Sequence, residues 1–134
     1  MAELLELEVA TPERLLVREQ VAEVQIPARN GYLGVLPGHA ALLAELATGF
    51  LYYTAGSRRW YLAIHGGFLE INNGHVRVLA DRAERAEDID VPRVQEDLRK
   101  AQEALANPSL GVDPAAALAA SDSAQARLEA AAHK

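Results

Sequence analysis

A chain of 134 residues can bury roughly two-thirds of its extended surface, enough for a real core. Half of the residues are hydrophobic but only 5% are aromatic, so that core has to be aliphatic: Leu, Val, Ile and Ala. A net charge of -6 with no long basic run argues against electrostatic binding of nucleic acid or acidic lipid, the lack of Cys removes disulfides and thiolate metal sites, and no apolar run approaches the ~20 residues of a membrane span.

The first residues, Met1-Ala2-Glu3-Leu4-Leu5-Glu6, carry acids where a signal peptide needs bases, which points to a soluble, cytoplasmic protein. Up to about Asp81 the dominant period is two. Leu5, Leu7 and Val9 alternate with Glu6 and Glu8; Ala22, Val24 and Ile26 alternate with Glu23 and Gln25; Val76 and Val78 alternate with His75 and Arg77. Each run reads as a strand with one face on a core. Turn signals separate them at Thr11-Pro12, Arg29-Asn30-Gly31, Ala55-Gly56-Ser57 and Asn72-Asn73-Gly74, the last joining Phe68–Ile71 to His75–Leu79 as a hairpin. Many short strands with frequent turns predict an antiparallel β-sandwich or flattened barrel.

Within that half, Gly31-Tyr32-Leu33-Gly34-Val35-Leu36-Pro37-Gly38-His39 stands out. Gly31, Gly34 and Gly38 permit positive φ or close approach, Pro37 pins its own φ, and the pattern predicts that Leu33, Val35 and Leu36 pack inward while the chain turns. Gly66-Gly67 predicts a β-bulge or a close backbone approach, because no phosphate-binding glycine motif surrounds it.

From about Ile89 the period becomes 3.5. Val91, Val94, Leu98, Ala101 and Leu105 form one apolar stripe, with Asp90 as N-cap and Pro92 in the first turn. The polar face predicts i, i+4 pairs Arg93/Asp97, Glu96/Lys100 and Arg99/Glu103. Asn107-Pro108 stops this helix and Asp113-Pro114 starts another. The second is mostly alanine, with Leu118 and Leu128 as its only large apolar residues, so it forms readily but buries little area. The chain therefore reads as α+β: residues 1–87 a β-sandwich, residues 88–134 a two-helix hairpin that has to lie on the sandwich or on another protein.

The Gly31–His39 loop, the segment Gly66-Gly67-Phe68-Leu69-Glu70-Ile71 and the run Ala83-Glu84-Arg85-Ala86-Glu87-Asp88-Ile89-Asp90 occur in this order ahead of the helical tail. In these the chain resembles the epsilon subunit of F-type ATP synthases. The resemblance implies a non-catalytic rotor subunit, at the foot of the central stalk, bound to the gamma subunit and the membrane-embedded c-ring. It would help to couple proton-driven rotation to ATP synthesis. It would lie on the cytoplasmic face of the inner membrane, peripherally and only through the complex. The helical pair of many bacterial members moves between a folded position on the sandwich and an extended one along gamma, near the catalytic beta and the alpha subunits, that inhibits ATP hydrolysis. Thr11, Tyr32 and His39 would belong to the gamma and c-ring interface, although the family often has an acidic residue where Tyr32 stands.

The same resemblance implies no required cofactor but a regulatory ATP on the folded pair. The family's Ile/Leu-Asp-x-x-Arg-Ala motif reads Ile89-Asp90-Val91-Pro92-Arg93-Val94 here, and Arg127 matches a basic position of the second helix. Val94 is larger than the motif's alanine, and Ser123 stands where a second basic residue occurs. Asp90 and Arg93 are equally explained as a helix cap and a first-turn arginine paired with Asp97. The four histidines, His39, His65, His75 and His133, show no metal-ligand spacing, and beside a Pro-Gly turn His39 reads as structural or interfacial rather than catalytic. The competing function is a free-standing β-sandwich that binds a small ligand, or an adaptor, with the helices as a lid.

Overall fold

The computed structural model describes residues 3–134; Met1 and Ala2, part of the segment read above for a signal peptide, lie outside it. Seven strands are followed by two helices: β1 (Leu5–Ala10), β2 (Leu15–Val21), β3 (Glu23–Ala28), β4 (Gly31–Val35), β5 (Leu42–Ala55), β6 (Arg58–Asn72), β7 (His75–Arg85), α1 (Val91–Ala106) and α2 (Pro114–Ala131). The strand order is β2-β1-β7-β6-β5-β3-β4. Although β2 and β5 stand four places apart in that order, they touch, so the sheet folds over on itself into two layers. All ladders are antiparallel except one: β1 runs parallel to β7, with Leu7 opposite Val76 and Val9 opposite Val78. The β-sandwich is the one expected; alternation records which face is buried and not strand direction, so it gives no sign of this one parallel pair.

Between the layers lies the aliphatic core, with Leu5, Leu7, Val9, Val24, Ile26, Leu51, Leu62, Ile64, Leu69, Ile71, Val76 and Val78 among its members. At the β6–β7 hairpin Asn73 (φ 50°) and Gly74 (φ 79°) both take the left-handed backbone that a tight two-residue turn requires.

The register of β6 with β7 runs unbroken across Gly66-Gly67, so no bulge forms there. Close approach explains the pair instead. A Cβ on Gly67 would stand 2.1 Å from the carbonyl oxygen of Leu79, at a φ of +118°. Before this point Ala63 packs under α2 and the buried His65 lies beside it; beyond it Phe68 faces out.

The Gly31–His39 segment is β4 followed by a turn, Leu36-Pro37-Gly38-His39, closed by the His39 amide donating to the Leu36 carbonyl at 3.1 Å. Pro37 and Gly38 (φ +86°) occupy its centre as a type II turn requires. Two expectations fail here. Gly34 has ordinary extended backbone with open space above it, and Leu36 points outward, 59% exposed; only Val35 is fully buried. Leu36 sits at the start of the turn, past the last rung of the β3–β4 ladder, so the strand alternation no longer applies to it.

Asp90 caps α1, its Oδ1 accepting from the Arg93 amide at 3.4 Å, and Asp113 caps α2 through the Ala115 amide at 3.2 Å. The stripe of α1 holds through Val94, Leu98 and Ala101, but a straight helix drifts at 3.6 residues per turn, so Ala104 takes the inner position expected of Leu105. On α2 the buried residues are Ala117, Ser121, Ala124, Ala126, Ala130 and Ala131, while Leu118 is 54% exposed. Small residues on two sides let this helix lie close to both α1 and the sheet.

Candidate functional site: the seam between hairpin and sandwich

α2 is folded down on β5 and β6, and α1 packs along α2. Ala63 of β6, Ala86 and Ile89 of the connection, Val94 of α1, and Ala124, Ala130 and Ala131 of α2 make a second core, edged by Phe50, Tyr61, Leu98 and Leu128. Methyl groups dominate it. Such a seam stabilises through close packing more than through area, since each alanine side chain removes little surface from water.

Polar links reinforce it at three points. Arg127 of α2 donates from Nε and Nη2 to the two carboxylate oxygens of Glu84 on β7, at 2.7 and 3.2 Å, and its Nη1 lies 3.9 Å from Asp97 of α1. One guanidinium thus joins sheet and both helices. His133 stacks on Tyr61, ring centroids 4.2 Å apart and planes 11° from parallel. Lys134 Nζ donates to the carbonyl of Ile89 at 3.0 Å.

Beside these links are two clefts. The larger, about 710 Å3, lies between the helices and is walled by alanines such as Ala101, Ala117 and Ala120, with Lys100, Arg82 and Arg127 among its polar residues. The smaller, about 410 Å3, runs under the β1–β2 turn and is lined by Thr11, Glu13, Arg14, His65, Arg82, Ala83, Glu84, Ser123 and Arg127. His65 is 8% exposed, and its Nδ1 has no hydrogen-bond partner. Burial, with the positive charges of Arg82 and Arg127 against the lesser influence of Glu84, lowers its pKa to about 4.

The residues expected to hold a nucleotide are only partly gathered. Arg127 lines both clefts; Ile89 is buried in the seam; Asp90 is engaged as the cap of α1; Arg93 is exposed and lines neither cleft. The expected Arg93/Asp97 and Glu96/Lys100 pairs do not form. Asp97 turns to Arg127, and Arg99 takes both Glu96 (2.7 Å) and Glu103 (2.8 Å).

The interface residues are also dispersed. Thr11 belongs to the β1–β2 turn, where its Oγ1 accepts from the Glu13 and Arg14 amides, both at 3.3 Å. Tyr32, on the opposite edge strand, is 49% exposed; its ring lies 5.4 Å from Phe50 and its hydroxyl accepts from the Phe50 amide at 3.2 Å. It bounds a hollow with Gly49, Gln125 and Glu129, on the hairpin side of β5. His39 is half-buried in its turn, Nδ1 donating to the Ala40 carbonyl at 2.7 Å.

Reasoning from sequence missed Glu84, Asp97, His65 and Arg82. Their significance depends on a partner 43 residues away from Glu84 and on burial under α2, neither of which a local pattern records.

Comparison with known proteins places this geometry. Residues 4–86 match the family described as ATP synthase, Delta/Epsilon chain, beta-sandwich domain, and residues 87–132 match its long alpha-helix domain. The ATP synthase epsilon chain of Solibacter usitatus is 61% identical over 128 residues, covering 96% of each chain. That of Koribacter versatilis is 46% identical over 105 residues, covering 78% of this chain and 74% of its own. Among solved structures, a chain of the Euglena gracilis mitochondrial ATP synthase, OSCP/F1/c-ring in rotational state 1, superposes with a TM-score of 0.79 at 28% identity, over 99% of this chain and 83% of that one. A β-sandwich bearing a folded two-helix hairpin, matched in both parts, makes this chain a member of the ATP synthase delta/epsilon chain family.

Proposed function

We propose that the chain is the non-catalytic rotor subunit in the central stalk of a proton-translocating F-type ATP synthase, coupling c-ring rotation to ATP synthesis and regulating ATP hydrolysis through its C-terminal helices. Its relatives bear the name of that subunit. The observation in this chain that carries the regulatory part is the manner of docking: the hairpin rests on one outer face of the sheet through alanines and a few polar links, a contact able to open without unfolding the sandwich.

The partners are the gamma subunit and the c-ring, with the beta and alpha subunits reached when the hairpin extends. The location is the cytoplasmic face of the inner membrane, held through the complex. No helix among the described residues is long and apolar enough to cross a membrane. A protein-binding surface is supported by exposed apolar side chains outside the hairpin face: Leu36 near His39, Leu43 on β5, and Phe68 directly opposite Leu79 on β6 and β7. Thr11, Tyr32 and His39 are the proposed contacts at the turns and edges; Thr11 and Tyr32 border the hairpin, and His39 closes the turn that Leu36 begins.

A regulatory ATP belongs to the same proposal, with Ile89, Asp90, Arg93 and Arg127 as its residues. In its favour is the alanine-walled cleft with Arg127 and Lys100, which offers apolar surface to a base and positive charge to phosphates.

Deleting residues 90–134 in the assembled enzyme tests the reading. The tail holds five basic against seven acidic side chains, a poor match for an acidic surface on a partner. The expected result is retained proton-coupled synthesis with a rise in hydrolysis below about tenfold, or about 1.4 kcal/mol. Uncoupling by the deletion would refute the division of labour between sandwich and hairpin.

A further inference from the structure

The far end of the hairpin rests on aromatic rings, unlike the rest of the seam. Tyr32 of β4, Phe50 and Tyr52 of β5, and Tyr61 of β6 form a run of neighbouring rings. Tyr32 lies 5.4 Å from Phe50, Phe50 5.9 Å from Tyr61, and Tyr52 5.6 Å from Tyr61, centroid to centroid. His133 closes this run from the hairpin. Past α2 the His133 and Lys134 amides donate three residues back, to the Ala130 and Ala131 carbonyls, both at 3.2 Å. The chain thus ends its helix in a tighter turn that sets the imidazole on the sheet. The ring lies 4.2 Å from Tyr61 and 11° from parallel, with Phe50 at 5.9 Å, and His133 remains open to solvent.

The strength of such a contact depends on a proton. Imidazole in ordinary surroundings changes charge between about pH 5 and 8. Neutral, it makes an ordinary ring stack; charged, it is a cation on the negative face of the tyrosine. The groups around the pair decide the sign. Glu129, one turn earlier on α2, and the negative end of that helix favour the imidazolium, and Lys134 opposes it. All three travel with the hairpin, so they do not distinguish docked from open. On β6 the Arg59 guanidinium reaches the Tyr61 hydroxyl and opposes a second cation, but it also faces Glu23 of β3 at 3.6 Å. β5 presents the uncharged Phe50 ring. The connection ahead of α1 carries Asp88 and Asp90 on either side of Ile89, whose carbonyl Lys134 holds. The docked ring therefore meets an aromatic face against one partly neutralised arginine.

From this geometry we infer that His133 on Tyr61 is a proton-sensitive latch: protonating the imidazole tightens the hairpin on the sandwich, and removing that proton loosens it. By linkage, the docked hairpin holds the proton more tightly than the open one. A consequence for ATP hydrolysis, a hairpin freer to extend as pH rises, rests on the regulatory reading above; the latch itself does not.

Amide hydrogen exchange of the isolated full-length chain measures it, at about pH 5.5 and about pH 8, corrected for the intrinsic chemistry of exchange. The quantity read is the protection of α2 around Ala124–Ala130 at the lower pH divided by that at the higher. His133→Phe keeps a ring on Tyr61 but carries no proton. The ratio should be about threefold larger in the native chain than in His133→Phe, the size of effect a cation on an exposed ring produces. His65, buried with its pKa lowered to about 4, pulls the other way, and its presence in both chains cancels it from the comparison. Tyr61→Phe keeps the face and should keep the native ratio, while Tyr61→Leu should match His133→Phe. The His133 ring resonances give a second reading: their titration midpoint should fall in Tyr61→Leu and hold in Tyr61→Phe. Equal ratios in the native chain and His133→Phe overturn the inference, as does a midpoint unmoved by Tyr61→Leu. A smaller ratio in the native chain overturns it too, because Arg59 then outweighs the ring. None of these outcomes touches assembly with gamma, so a failed latch and a failed rotor reading are told apart.

Discussion

Replacing Arg127 by Gln should release the hairpin without unfolding the sandwich. The side chain is 25% exposed and its Glu84 partner 28%, so the pair is neither fully screened nor fully desolvated. Bonds to a charged partner contribute about 1.5–3 kcal/mol each in protected settings, and exposed ion pairs at most ~1. With two short bonds to Glu84 and a 3.9 Å approach to Asp97, a net of about 2 kcal/mol for the whole link is a reasonable middle value. At 1.4 kcal/mol per tenfold, that shifts the docking equilibrium about 30-fold toward the open form. Amide hydrogen exchange measures it directly. Amides of α2 around Ala124–Ala130 should exchange about 30-fold faster, while Leu51, Leu62 and Ile64 in the core between the layers keep their protection. A double-mutant cycle with Glu84→Gln should return a coupling of the same sign. Unchanged α2 exchange, or an equal loss of protection in both regions, would refute the idea that this link holds a separately opening part.

Gly67→Ala should cost at least about 3 kcal/mol in urea denaturation, because its Cβ would meet the Leu79 carbonyl at 2.1 Å; Gly34→Val, with open space and extended backbone, should stay within about 0.5 kcal/mol, and similar losses for both would contradict the geometry. Ala130→Leu forces a larger side chain into the fully covered hairpin seam, and should speed α2 exchange by the equivalent of about 1–3 kcal/mol while leaving the sandwich melting transition in place. His65 titrates at about 4 when folded against an ordinary 6.5, so the unfolded chain takes up the proton first. Its contribution is therefore intact above pH 6.5 and is lost as pH falls toward 4, by about 3 kcal/mol at the limit; His65→Gln should flatten that part of the stability profile, and an unaltered profile would show that other groups cause it.

What could be read from the chain depended on how local the cause was. The strands containing Leu5, Leu7 and Val9 or Val76 and Val78 each keep one face on one core, so their alternation was plain. The cap Asp90 and the Asn73-Gly74 turn act within a few residues and were equally legible. β5 was not recognised as one strand, because burial passes from Leu46 to Gly49, Leu51 and Tyr53, moving from even to odd positions as the strand changes layers. The inner face of α2 is hidden by its composition: alanine has no polar alternative against which a stripe could show, and Leu118, one of its two leucines, stands on the exposed side. Of the candidate site, Arg127 was found through family resemblance, but its partners Glu84 and Asp97 come from other elements. Arg93, which the same motif points to, is exposed and stands outside both clefts, while its neighbour Val94 takes the buried position of that turn.

The central claim is membership of a rotor, and binding to gamma tests it most directly. The full-length chain, expressed together with the gamma subunit of the same synthase and examined by native mass spectrometry, should appear as a one-to-one complex. Deleting residues 90–134 should leave that complex intact, since the sandwich is the proposed contact. A chain that remains alone beside folded gamma, or that binds only through its helices, would contradict the account.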